Sequence, residues 1–162
     1  MENSYLLGMA DLVVANAPAK LVTLGLGSCI GLVVFDTVAK VAGMAHIMLP
    51  NSRGAQGLEK VGKFADTAVP AIIDEMIKKG ASKARIKAKI AGGAQMFALP
   101  GAPAAFLSVG AQNVKETTAA LSKMGIVLVA SDTGGNKGRT VEFSTESWML
   151  KIKTLGKGVT EI

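Results

Sequence analysis

The sequence predicts an α/β fold of the α+β type. The expected architecture is a layered sandwich in which a mixed, largely antiparallel β-sheet carries two main helices, in the order βββ-α-β-α-βββ. Three observations lead there. Three short apolar runs (20–26, 30–35 and 41–49) follow one another with turn-sized breaks, and the first two are rich in β-branched residues. Two stretches, 61–78 and 113–124, instead repeat their apolar residues at helical spacing. Three more strand-like runs close the chain, at 126–130, 139–143 and 148–152. Consecutive strands joined by short turns make hairpins, so this is not a doubly wound parallel sheet.

Each element has its own justification. Pro50-Asn51-Ser52-Arg53-Gly54-Ala55-Gln56-Gly57 is turn-rich and reads as an exposed loop. In the first helix Val61, Phe64, Ala65, Ala68, Ile72 and Met76 share a face, and Lys78-Lys79-Gly80 provides a basic end and a glycine stop. Pro70 falls near the first turn if Asp66 is the N-cap, and otherwise kinks the helix. Residues 85–91 alternate as a strand that Gly92-Gly93 ends or bulges, and 99–110, with two prolines and two glycines, reads as a loop. In the second helix Val114, Thr118, Leu121 and Met124 form one stripe, stopped by Gly125.

The 162 residues suit a single domain over 1–162, with no repeat, low-complexity tract or linker. Hydrophobic residues make up 49%, which excludes a disordered chain. Only 5 Phe, 1 Trp and 1 Tyr are present, so aliphatic side chains build the core and aromatic platforms for single-stranded nucleic acid are lacking. The net charge of +6 suits an acidic partner but not a dedicated nucleic-acid binder. The N-terminus lacks a basic region, Asp11 interrupts the apolar stretch after it, and no run reaches the length of a membrane span. The expectation is a cytoplasmic protein with a reduced thiol, no membrane insertion and no nucleic-acid partner.

The catalytic inventory is narrow: 1 Cys and 1 His. One cysteine excludes an internal disulfide, and the pair is too small for a Cys/His zinc site, so neither a metal nor a cofactor is expected. Cys29 follows Gly25-Leu26-Gly27-Ser28, where glycines permit a tight turn with accessible N–H groups, as an oxyanion hole requires at Gly27 and Ser28. A hairpin turn around Asp36-Thr37-Val38-Ala39 pairs residues whose numbers sum to 75, which sets Cys29 directly opposite His46. A one-residue slip would put them on opposite faces. Each residue also has an ordinary reading, Cys29 as a small buried hydrophobe and His46 as a satisfied core histidine. A dinucleotide loop would need glycine at Ile30, and a serine nucleophile elbow would need glycines at Leu26 and Ile30.

Lys83, Arg85, Lys87 and Lys89 alternate with Ala84, Ile86, Ala88 and Ile90. On a strand this places four charges on one face, either a solvated surface or a landing strip for an acidic partner. Asp132-Thr133-Gly134-Gly135-Asn136 reads as a tight turn, since no Gly-Lys-Ser/Thr follows it.

Thr23-Leu24-Gly25-Leu26-Gly27-Ser28-Cys29 and Met44-Ala45-His46-Ile47-Met48-Leu49-Pro50 together resemble the chemoreceptor glutamine deamidase family, CheD. Lys63-Phe64-Ala65-Asp66-Thr67-Ala68, Lys89-Ile90-Ala91-Gly92-Gly93-Ala94, Asp132-Thr133-Gly134-Gly135-Asn136 and Gly138-Arg139 agree in order and spacing. The resemblance runs from about residue 20 to about residue 141. It implies a bacterial or archaeal cytoplasmic chemotaxis enzyme that converts glutamines of methyl-accepting receptors to glutamates. The family's catalytic Cys, His and Thr fall on Cys29, His46 and Thr23, and Asp132, Thr133 and Gly134 become a candidate wall of the site. A CheC-type phosphatase is the second implied partner, and a binding module that regulates such a phosphatase is the alternative reading. Two departures matter: Gly110-Ala111-Gln112-Asn113 replaces the family's Gly-x-Arg-Asn, and the segment 99–108 is longer and richer in Ala and Pro than the family's.

Overall fold

A computed structural model describes residues 2–55, 57, 59–96 and 108–162. Ten strands form two five-stranded sheets rather than one, and two helices cover one of them. The strands are β1 (Asn3–Leu7), β2 (Leu12–Asn16), β3 (Ala19–Leu26), β4 (Ile30–Asp36) and β5 (Val41–Ile47), then β6 (Lys87–Gly92), β7 (Val127–Thr133), β8 (Arg139–Ser144), β9 (Met149–Thr154) and β10 (Gly158–Glu161). The helices are α1 (Ala65–Lys78) and α2 (Val109–Lys123). The expected elements occur in the expected order, joined by β1 and β2 at the start and β10 at the end. The loop expected at 99–110 lies mostly outside the described residues, and its last two residues already belong to α2.

One sheet has the order β1-β3-β8-β9-β10 and the other β2-β5-β4-β6-β7. Pairing is antiparallel except for β1 with β3 and β6 with β7. The alternation of β4 and β5 builds two cores at once. Ile30, Leu32, Val34, Ala45 and Ile47 meet Ala68, Val69, Ile72 and Met76 of α1, while Val33, Phe35, Ala42 and Met44 meet Leu21, Val141, Phe143 and Ile152 of the other sheet. Both strands are therefore buried throughout. Each fully buried aliphatic side chain contributes about 1.5–3 kcal/mol of transfer free energy.

Helix α1 buries Ala65, Ala68, Val69, Ile72, Ile73 and Met76, the i, i+3, i+4 pattern of one face. Its N-cap is Phe64, and Asp66 instead accepts hydrogen bonds from Ser52 N–H and Oγ at 2.9 Å each. Pro70 lies inside the helix on its exposed side, and the helix continues through it. Helix α2 begins four residues before the expected start, where Ser108 Oγ accepts from Ala111 N–H at 3.1 Å.

Candidate active site

Strands β3, β4 and β5 converge where β3 leaves the outer sheet and the chain turns into β4. A register shift between Thr23 and Leu26, with Gly25 at φ +66°, breaks the β3 ladder and starts that turn. Beyond it, Gly27, Ser28 and Cys29 are half-buried and Cys29 is a free thiol. The β4–β5 ladder then runs from Ile30↔Ile47 to Asp36↔Val41. His46 thus pairs with Gly31, not with Cys29 as expected. The true turn spans 37–40, with Lys40 at φ +58°, one residue beyond the expected centre. Because that error moves the pairing by two residues, parity is kept. Cys29 packs against the inter-sheet core, the side that His46 also faces.

Gly31, the cross-strand partner of His46, lets the two sheets pack closely beside the ring. A Cβ there would lie 3.0 Å from Leu26 Cδ1, 3.2 Å from Val141 Cγ2 and 3.8 Å from Thr23 Cγ2, between the two sheets. The His46 ring, on the strand paired with Gly31, reaches across to the other sheet. Thr23 Oγ1 lies 2.7 Å from His46 Nδ1 and donates to Leu7 O at 2.9 Å. A hydroxyl has one proton, and here the Leu7 carbonyl takes it. The imidazole therefore carries its own proton on Nδ1 and donates it to Thr23, leaving a lone pair on Nε2. Nε2 is buried and has no hydrogen-bond partner among the described residues.

His46 is also held through its backbone, its N–H donating to Asp11 O and its carbonyl accepting from Ala10 N–H, both at 3.0 Å. Burial lowers the His46 pKa from its ordinary value, opposed by the Asp11 carboxylate, and burial raises the Cys29 pKa. Both shifts favour the uncharged imidazole and the uncharged thiol.

Three consecutive carbonyls hold the Cys29 turn. Gly27 O accepts from Ala94 N–H, Ser28 O from Asn113 Nδ2 and Cys29 O from Gly93 N–H, each at 2.9 Å. In a trans peptide the N–H points opposite to the carbonyl, so the amides of Ser28 and Cys29 point away from the 93–94 segment and α2. Gly92, at φ +110°, allows that segment to touch the turn, since a Cβ there would collide with Cys29 O. The 132–134 segment lies behind it: Gly134 N–H donates to Gly92 O at 3.0 Å. Buried Arg139 ties the same corner together, with Nη2 3.1 Å from Asp132 Oδ1 and 3.0 Å from Gly134 O.

A family model described as "CheD chemotactic sensory transduction" matches residues 48–154. The chain belongs to the CheD family. The matched span begins just after His46, but full-length relatives extend across the whole site. "Probable chemoreceptor glutamine deamidase CheD" of Caldanaerobacter subterraneus is 48% identical over 163 residues, covering 100% of both chains. The protein of the same name from Clostridium novyi is 47% identical over 156 residues, covering 96% of each. Among solved structures, Bacillus licheniformis hypothetical protein YfiH superposes with a TM-score of 0.52 at 13% identity, covering 78% of this chain and 51% of that one. That likeness concerns the fold alone.

In this CheD family member the structure does not form the four-charge strand face expected at 83–89. Strand β6 starts only at Lys87, so Lys83 and Arg85 lie in the turns before it. Arg85 Nη2 pairs with buried Asp36 Oδ2 at 3.1 Å. Lys89 is 6% exposed and points between the sheets, where Nζ donates to Trp148 O at 2.8 Å and Ile162 O at 2.9 Å beside the Phe35 ring. Burial lowers its pKa. Alternation along β6 reads correctly; the second sheet, which covers the "polar" face, is what sequence periodicity leaves out. Reasoning from sequence also missed Gly31, Asn113 and Arg139 as parts of the site. The Gly92-Gly93 pair and the Gly110 and Asn113 that match the family's Gly-x-Arg-Asn were the available signals. Among the described residues no helix is long and apolar enough to cross a membrane.

Proposed function

We propose that this chain is a cysteine-dependent protein-glutamine deamidase that converts glutamine side chains of methyl-accepting chemotaxis receptors to glutamate, releasing ammonia. One observation carries the chemistry. The lone imidazole is held by Thr23, its Nε2 unpaired among the described residues, on the same inter-sheet side as the lone thiol. The names borne by relatives at 47–48% identity supply the substrate class.

Cys29 and His46 act as nucleophile and base, and Thr23 orients the imidazole. A glutamine carboxamide approaches Cys29 Sγ. As the C–S bond forms, His46 Nε2 takes the thiol proton, so the buried ions exist only while substrate is present. The resulting imidazolium keeps its Nδ1 proton on Thr23. The carbonyl oxygen, now anionic, accepts from the Ser28 and Cys29 N–H groups next to Gly27, each such donor worth about 2.7–4 kcal/mol. His46 returns its proton to the amide nitrogen, the C–N bond breaks and ammonia leaves a thioester. Water then attacks, giving its proton to Nε2, and the thiolate departs and recovers that proton. The balance is amide plus water to carboxylic acid plus ammonia. Asp132, Thr133 and Gly134 form the wall behind the turn. A CheC-type phosphatase is the second proposed partner, on the family resemblance, and the cytoplasm is the proposed setting, where the thiol stays reduced.

Mass analysis of a receptor fragment tests the reading. Incubation with the intact chain should shift glutamine-containing peptides by the difference between an acid and an amide. Cys29→Ala should leave them unshifted, and a shift in that variant would overturn the mechanism.

A further inference from the structure

Helix α2 buries one amide side chain against the site. Asn113, the fifth residue of α2, is 0% exposed, and its Nδ2 donates to Ser28 O at 2.9 Å and Met48 O at 3.0 Å. These carbonyls sit where the β4–β5 ladder has already ended, since its outermost pair is Ile30↔Ile47. One precedes Cys29 in the chain; the other lies two residues past His46. Beyond the ladder, the amide of Asn113 is the hydrogen-bonded link between the two strand ends among the described residues.

Both donors of the amide are spent on these carbonyls. The reverse orientation would set Oδ1 against two carbonyl oxygens, so the assignment is chemically determined. Oδ1 itself is buried and unpaired among the described residues. A close approach delivers Asn113 to this point. A Cβ on Gly110 would collide with Gly93 O and Ala94 O, and one on Gly93 would collide with Val114 Cγ2. Glycine at both positions lets α2 lie directly on the segment that holds the Cys29 turn, and Asn113 follows one helical turn after Gly110.

We propose that Asn113 is a positioning residue, a clamp that sets the separation between the Cys29 turn and the end of the His46 strand. The proposal rests on the reading of Cys29 and His46 as nucleophile and base. Asparagine suits the role because it offers two donors on one rigid fork. Aspartate has the same shape but would present oxygen to both carbonyls.

The test compares intact chains carrying Asn113→Ala, Asn113→Asp and Leu121→Ala. Leu121→Ala loosens α2 from the core without touching the clamp. Three properties are read: deamidation kcat and KM on a receptor fragment, the pH profile of Cys29 alkylation by iodoacetamide, and the NMR titration of the single histidine. Both Asn113 variants should lower kcat by about 10–100-fold with little change in KM, as expected for a small misplacement of reacting groups. They should also move the alkylation profile and the His46 titration. Leu121→Ala should lower the melting temperature and leave all three properties of the folded protein unchanged. Wild-type kcat and alkylation profile in a folded Asn113 variant would overturn the clamp, as would the same losses in Leu121→Ala. Should one Asn113 variant not fold, the other decides. Persistent deamidation in Cys29→Ala would instead sink the nucleophile assignment, and alkylation and titration, which need no substrate, would still judge the clamp.

Discussion

The β4–β5 hairpin buries a polar side chain near each of its ends, and the two are treated in opposite ways. At the closed end, Asp36 is 0% exposed and saturated. Val38 N–H and Ala39 N–H donate to Oδ1 at 3.0 and 3.1 Å, Ser82 N–H donates to Oδ2 at 2.9 Å, and Arg85 Nε reaches both oxygens at 3.2 Å. Burial pushes its carboxyl up, but these donors together outweigh it and hold the pKa at about 2. At the open end, His46 is 2% exposed, yet among the described residues only Nδ1 is paired and Nε2 has no partner. The saturated carboxylate holds structure together, whereas the Nε2 lone pair of His46 is the one the proposed mechanism uses.

Substitutions should separate the two ends. Cys29→Ala has the largest expected effect on turnover: deamidation falls to the uncatalysed level, while the melting temperature of this half-buried position changes little. Thr23→Val comes next. It keeps the shape but removes the acceptor for Nδ1–H, so kcat should fall on the order of 10²-fold with KM nearly unchanged. Steady-state kinetics on a receptor fragment checks both, and normal kcat in Thr23→Val would remove the tautomer argument.

Asp36→Ala should invert this pattern. It strands three partly exposed N–H groups and the Arg85 guanidinium, at a cost of about 1–3 kcal/mol in urea unfolding, with kcat per folded molecule unchanged. A lost kcat there would show the two ends of the hairpin to be coupled.

The smallest expected effect is the pH dependence of stability. Burial lowers the His46 pKa below its ordinary 6.5, so the unfolded chain takes up that proton first as pH falls. The His46 contribution is fully present above pH 6.5 and is lost as pH falls toward the lower folded value. Asp36 acts in a separate window, its contribution present above pH 3.8 and lost as pH falls through about 2. Melting curves across this range should show two descents. His46→Gln should remove the first and Asp36→Asn the second; retention of the first descent in His46→Gln would assign it to another group.

The sequence made much of the site legible, for a reason visible at Cys29 and His46. Placing the hairpin centre one residue too early changed their partners but not their faces, because an even shift preserves the alternation of a strand. Other features carried too weak a signal. Strand β1 buries only Leu7, and β10 is exposed along its whole length, so neither shows an alternating pattern. Lys89 failed differently, since its polar side alternates as expected but faces the Phe35 ring of the core.

Local chemistry thus determined the fold class, the order of the expected elements, the lone thiol and imidazole, and the shared face on which they lie. Those follow from side-chain periodicity and turn chemistry, which act over a few residues. Only the tertiary structure decided that a second sheet closes over the first, that Thr23 receives the His46 proton, and that Asn113 spans the two strand ends. Each of these joins residues from distant parts of the chain, Ser28 to Asn113 or His46 to Thr23, whose meeting depends on how whole layers pack.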